Sequence, residues 1–310
     1  MQKLYPLKTQ PVFKDYLWGG NNLSKKYNKA NGGFLAESWE LSCLEKAPVK
    51  IANGEFKDKF LKDIIADNKE KIMGKNGEGF KEFPLLFKFL DANKDLSVQV
   101  HPEGKDGKTE MWYIVDAKEG AKIGFGFKKS VSKKEVEKAA KDGSLQDFIE
   151  YYDVKKGDCF FIRGGSVHCL CAGLIVAEIQ QSSDTTYRLY DYNRRDKDGN
   201  LRELHLDKAL EVAKLEHYEK AYCNADGKDE CTVAECEYFK VEKHSVHRKK
   251  SFDTLGESFN AIMFLEGSGK ISYSGGKTED FFAGDTFLIP SCIGKYEILG
   301  DCDMLRCMLP

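Results

Sequence analysis

In Leu96-Ser97-Val98-Gln99-Val100-His101-Pro102 apolar and polar residues alternate. Such alternation marks a strand, so Gln99 and His101, two residues apart, project from one face. Lys108 and Glu110 repeat the spacing a little further on, and His168 closes the run that opens at Gly157. An amide oxygen, two imidazoles and a carboxylate form a borderline-hard donor set that suits Zn²⁺ and leaves a position for water or substrate. A lone strand histidine is more often a surface or hydrogen-bonded core residue than a ligand; it is the combination with Gln99 and Glu110 that favours a metal site. His205, His217, His244 and His247 lie in polar, charge-rich segments and are expected at the surface.

The elements that must position these groups read as strands. Met111–Val115, Cys159–Ile162, Leu174–Ile179, Ala261–Leu265 and Thr286–Ile289 are rich in aromatic and aliphatic residues and are separated by Gly, Asp and Lys turns. Two segments read as helices inserted on this scaffold, at about 56–73 and 132–151. The second opens with Ser132 and Glu135 at capping-box spacing.

An internal repeat organises the chain. Gly157-Asp-Cys-Phe-Phe-Ile-Arg-Gly-Gly-Ser-Val-His168 aligns with Gly284-Asp-Thr-Phe-Leu-Ile-Pro-Ser-Cys-Ile-Gly-Lys295, and Glu110-Met-Trp-Tyr-Ile-Val with Asn260-Ala-Ile-Met-Phe-Leu. A Gly-Asp turn, an apolar strand and a Gly-containing turn ending in His form the second motif of the cupins, which are double-sheet jelly rolls. The expectation is a mainly β protein of two cupin-type jelly-roll barrels: a metal-binding domain over 1–235 and a cupin-like β-domain over 236–310. The second copy has Asn260 and Lys295 where the first has Glu110 and His168, so only the first should bind metal.

Composition narrows the function. The 310 residues are 41% hydrophobic and 12% aromatic, enough for a large core. With 48 basic and 50 acidic residues, no long-range field would gather nucleic acid or an anionic membrane. Neither is expected as a partner. The first eleven residues hold no apolar run like an export signal, and ten cysteines without a CxxC pair read as reduced thiols, so the expected location is cytoplasmic. No P-loop or dinucleotide glycine pattern points to a nucleotide.

Several long motifs resemble type I mannose-6-phosphate isomerases, in their short bacterial form. They are Asp15-Tyr-Leu-Trp-Gly-Gly20, Ala36-Glu-Ser-Trp39, Phe83–Ala92, Leu96–Pro102, Gly107-Lys-Thr-Glu-Met-Trp112 and Asp184-Thr-Thr-Tyr-Arg-Leu-Tyr-Asp191. The stretch from His101 to Glu110 is shorter than that form usually carries. The resemblance implies one zinc ion per chain held by Gln99, His101, Glu110 and His168. It implies Arg188 as the active-site arginine, with Lys108 and Glu178 lining the pocket as further catalytic groups. Ser97, Lys88, Arg194, Trp18 and Glu37 are expected near the substrate, and the chain as a monomer or homodimer.

The implied reaction interconverts D-mannose 6-phosphate and D-fructose 6-phosphate through a cis-enediol. It needs a Lewis acid at the developing oxyanion and a base beside the carbon, for which Lys108 and Glu178 are the candidates. The Arg188 guanidinium stays protonated and suits charge stabilisation; without the resemblance, an ion pair with Asp184 or Asp191 would be the simpler reading. Two alternatives stand beside this one: a cupin isomerase of another phosphosugar, and a non-catalytic sugar-binding cupin.

Overall fold

The computed structural model describes residues 3–195 and 198–310, and these form two compact units. One comprises residues 13–37 and 89–223. The other comprises residues up to 12, 38–88 and 224–310. The division expected at residue 235 ran along the sequence, whereas pairing does not. Strand Leu7–Gln10 lies antiparallel to both Thr286–Ile289 and Lys50–Ile51, so early segments belong with late ones.

The unit of residues 13–37 and 89–223 is built on two sheets. A five-stranded sheet runs in the order Tyr187–Tyr190, Val98–Val100, His168–Leu170, Lys122–Phe127, Ile149–Asp153. In the second, Glu110–Ala117 lies between Asp158–Ile162 and Leu174–Gln181, antiparallel to both. The inner faces share one core: Trp112, Ile114, Phe160, Ile162 and Val176 from one sheet pack with Ile123, Phe125 and Leu170 from the other. This is the cupin arrangement of opposed sheets. The strand orders are those of open sheets, and no ring closure is seen among the described residues.

The period of two decides what faces inward. Val98, Val100, Cys169 and Leu189 sit in a second cluster on the outer face. Gln99, His168 and Arg188, between or beside them in sequence, therefore turn to the inner face. Helices cover that outer cluster with Val136, Ala139, Ala140, Ala209 and Leu210. The helix expected from 132 to 151 is shorter. It spans Lys133–Asp142, opens with the Ser132–Glu135 capping box, and stops at Gly143, whose φ of 87° is a left-handed C-cap. The chain then turns through Leu145–Phe148 into strand Ile149–Asp153. The earlier helical segment likewise begins at Leu61, past Phe56, and breaks at Asn68.

The other unit carries a nine-stranded sheet, and the five runs read as strands all lie within strands. The repeat holds to the residue. Ile162 pairs Glu110, and Ile289 pairs Asn260. Each strand follows a glycine with positive φ, Gly157 at 83° and Gly284 at 88°, where a side chain would be strained.

His244 departs from expectation, since strand Lys240–Val246 turns it inward and leaves it 1% exposed, edge-on to Phe252. Its Nε2 lies 3.2 Å from Glu242 Oε2, which also accepts from Arg306 Nη2 at 2.6 Å. Hydrogen bonding from His244, then from Arg306, draws the Glu242 carboxyl down to about 2 against the opposing effect of burial. A carboxyl depressed from 4.5 on folding adds stability above that pH and loses it as pH falls toward 2. Glu242→Gln should therefore lower the urea midpoint at pH 7 and bring it closer to the wild-type midpoint at pH 3.

Candidate metal centre and active site

Glu110 begins its strand with no solvent exposure, and Lys108, His101 and His168 lie against its carboxylate. Lys108 Nζ donates to Glu110 Oε2 at 2.6 Å and to His101 Nε2 at 3.2 Å. His101 Nε2 lies 3.6 Å from Glu110 Oε2, and His168 Nε2 lies 3.5 Å from Glu110 Oε1. Gln99 Nε2 is 3.3 Å from His168 Nε2, and Ser97 Oγ donates to Gln99 Oε1 at 3.2 Å. Within reach of the same ammonium is Glu178: its Oε1 is 3.8 Å from Lys108 Nζ and its Oε2 accepts from Trp112 Nε1 at 3.0 Å.

Register accounts for the convergence. On one sheet Gln99 stands directly between His168 and Arg188, as the cross-strand partner of both. On the other, Glu110 pairs Gln180 and Trp112 pairs Glu178. Directly opposed residues share a face, so the two sheets present their polar positions to one another.

The short stretch between His101 and Glu110 is a tight turn. Lys108 N bonds Pro102 O and Gly107 N bonds Gly104 O, both at 3.0 Å, and the Gln181 amide donates to the Gly104 and Lys105 carbonyls. A Cβ on Gly107 would meet the Pro102 oxygen at 2.5 Å, so only glycine allows the turn that delivers Lys108.

The donors fit a divalent cation. His101 Nδ1 lies 2.8 Å from the Thr185 carbonyl and His168 Nδ1 2.9 Å from the Ser166 carbonyl. A carbonyl only accepts, so each ring carries its proton on Nδ1 and turns an Nε2 lone pair toward Glu110. Backbone carbonyls in this role fix tautomer and orientation for metal ligation. Burial holds His168 down to about 4, and the Lys108 charge works in the same direction, so the ring is neutral. The ligand atoms of His101, Glu110 and His168 lie within 4.8 Å of one another. A half-turn of the Gln99 amide would bring Oε1 to face them.

A second cluster, Glu230, Glu242 and His244, lies in the other unit. Lys250 donates to Glu230 at 2.5 Å and Arg306 to Glu242 at 2.6 Å, so protein cations already answer both carboxylates. At the position corresponding to His168, Lys295 is exposed.

Other expected site residues divide. Arg188 forms no ion pair among the described residues; Asp191 instead binds Arg194 and Arg202, and Arg188 Nε is buried without a hydrogen-bond partner. Burial, then the Arg202 charge, lowers the Arg188 guanidinium below its usual value. Arg194 is bound by its own Asp191 and by the Asp95 carbonyl. Trp18 is a core residue, 3% exposed and packed with Trp112 and Leu90. Glu37 is half-buried at the start of strand Glu37–Leu41, and Lys88 lies in the other unit, its Nζ 5.1 Å from the Trp39 ring.

The sequence reading missed His205, expected at the surface. Its Nδ1 accepts from Arg188 N at 3.2 Å and its own N–H donates to Arg188 O at 2.9 Å. No spacing rule announces such a long loop-to-strand contact. Trp112 was also missed, although its place two residues after Glu110 puts it on the same inner face.

With this arrangement in view, the comparisons become informative. A family model for the catalytic domain of type I phosphomannose isomerase matches residues 6–122, and one for the mannose-6-phosphate isomerase cupin domain matches residues 229–309. The mannose-6-phosphate isomerase ManA of Bacillus subtilis is 34% identical over 95% of this chain and 96% of its own length. The chain belongs to the type I phosphomannose isomerase family. The mannose-6-phosphate isomerase of Streptococcus mutans is 31% identical over 97% of both chains. A crystal structure of mannose 6-phosphate isomerase from Bacillus subtilis superposes with a TM-score of 0.87 at 34% identity, covering 97% of this chain and 99% of that one. In this isomerase of the cupin fold, His168→Ala should weaken divalent-ion binding by about 100-fold or more, since even loss of a group behind a ligand costs 10–100-fold. Equilibrium dialysis against a buffered metal series, read by elemental analysis, measures it.

Proposed function

We propose that the protein is a cytoplasmic, zinc-dependent mannose-6-phosphate isomerase interconverting D-mannose 6-phosphate and D-fructose 6-phosphate through a cis-enediol. One observation carries the reading: His101, Glu110 and His168 converge in a buried site with Lys108 and Glu178 beside them, in a chain whose relatives bear that enzyme's name. Gln99 completes the ligand set once its amide is turned, with the Ser97 hydroxyl then placed to accept from Nε2 in place of donating to Oε1. When bound, zinc supplies Lewis acidity toward the substrate oxygens.

The chain's own residues supply the rest. Glu178 is the base that moves the proton between C2 and C1. The Trp112 N–H holds one of its oxygens, which fixes the direction of the other. Lys108 is the weaker candidate for that step, because its ammonium is engaged as a donor to Glu110 and His101. Its charge stabilises the negative charge that develops on oxygen. Arg188, projecting beside Gln99 with unspent donors, holds the anionic substrate. No helix among the described residues is long and apolar enough to cross a membrane.

Zinc-loaded protein should turn over mannose 6-phosphate and lose that activity to a chelator. Absence of turnover in a fully loaded sample would remove the assignment and favour another phosphosugar. Arg188→Ala should lower kcat/KM by about 100-fold or more while zinc content and the melting temperature stay near wild type. Glu178→Gln should cut kcat by about 10²–10⁴-fold, and loss of solvent-deuterium exchange at C2 would identify the step affected.

A further inference from the structure

Asp191 follows the strand of Arg188, and its carboxylate is buried. Oδ1 accepts from Arg194 Nη2 at 2.5 Å and from Arg202 Nη1 at 3.3 Å. With Arg188 three residues back, three guanidiniums gather near a single buried carboxylate. The Glu203 charge also acts on Arg188 and Asp191 Oδ2 is buried without a partner, so it is the open guanidinium N–H donors rather than net charge that an anion would meet.

The three are not equivalent. Arg194 is spent: Nε goes to the Asp191 carbonyl at 3.3 Å, Nη1 to the Asp95 carbonyl and Nη2 to the Asp191 carboxylate. Arg202 is bound to the described residues through Nη1 alone, so Nε and Nη2, one edge of its fork, remain. Arg188 keeps a buried Nε with no partner, an unfavourable state for an N–H donor unless an acceptor enters. Its register beside Gln99 aims it at the inner face.

Two hydrogen bonds, one to the His205 ring and one from its backbone N–H, tie the loop that carries Arg202 to Arg188. Arg188 N donates to His205 Nδ1 and His205 N to Arg188 O, which brings the loop of Arg202 alongside the Arg188 strand. The charges are close enough for Arg202 to lower the Arg188 guanidinium.

We propose that Arg188 and Arg202 form the subsite for the substrate's phosphate monoester dianion, with Asp191 and Arg194 as the struts that hold them. Planar forks match phosphate oxygens two at a time, which a lysine ammonium does not. The identity of the sugar rests on the isomerase reading above. The anion chemistry does not, because it follows from the guanidiniums themselves.

The test uses zinc-loaded full-length protein, with Arg202→Met and Arg202→Lys compared with wild type. Arg202→Met should raise KM for mannose 6-phosphate by about tenfold or more with kcat changed less than about threefold. Inorganic phosphate, measured as a competitive inhibitor and by calorimetry, should weaken by a similar factor, and Arg202→Lys should recover part of both. Unchanged KM and phosphate affinity in folded Arg202→Met overturn the proposal, as does a fall in kcat alone. Should Arg202→Met fail to fold, Arg202→Lys decides: weaker phosphate binding supports the subsite and unchanged binding overturns it. Wild type that binds phosphate through Arg202 yet leaves mannose 6-phosphate unconverted would sink the isomerase reading and leave the subsite standing.

Discussion

A carboxylate removed from water must be met by charge or by N–H donors, and Glu110 has no solvent contact at all. Much of the site answers that one requirement. Lys108 reaches the carboxylate because a turn that only Gly107 permits carries it there. The two imidazoles commit their Nδ1 protons to the Thr185 and Ser166 carbonyls, which turns each Nε2 toward the carboxylate. The result is a concentrated patch of donors that a divalent ion could share, assembled from strands far apart in sequence.

The second copy of the repeat shows what happens when the requirement is lifted. Asn260 occupies the same register as Glu110 but carries no charge, and its Oδ1 accepts from Tyr296 at 2.8 Å. Nothing there demands a cation. The carboxylates of that unit's sheet, Glu230 and Glu242, are matched to Lys250 and Arg306 instead. A shared topology thus supports a buried cluster of donor side chains in one case and a self-neutralised network in the other, with Asn260 and Lys295 standing where the first copy has Glu110 and His168.

The sequence was most informative where a local rule governs position. Alternation through Leu96–His101 placed Gln99 correctly, and the Gly-Asp repeat aligned two sheets to the residue. Capping chemistry fixed the start of the helix at Lys133, but its end was hidden, because Gly143 and the strand pairing of Ile149–Asp153 override an otherwise helical run. Long-range pairing was not legible at all. Nothing local says that His244 turns inward, that His205 braces Arg188, or that Arg202 shares Asp191 with Arg194. Trp18, an aromatic within a family motif, packs in the same core cluster as Trp112, a neighbour that no local rule announces.

The path of the chain also sets the order in which the molecule can be finished at the ribosome. Thr9 bonds the Thr286 carbonyl across 277 positions, so although Lys50–Ile51 can pair with one edge of strand Leu7–Gln10 early, its other edge has no partner until Thr286–Ile289 is made. At about 5–20 residues per second that wait lasts roughly 14–55 s. The segments holding Gln99 through Arg188 emerge well before it ends. The sheets that carry Gln99, His168 and Arg188 can therefore close while an early strand edge is still exposed, which makes the strand Leu7–Gln10 a natural client for a nascent-chain chaperone.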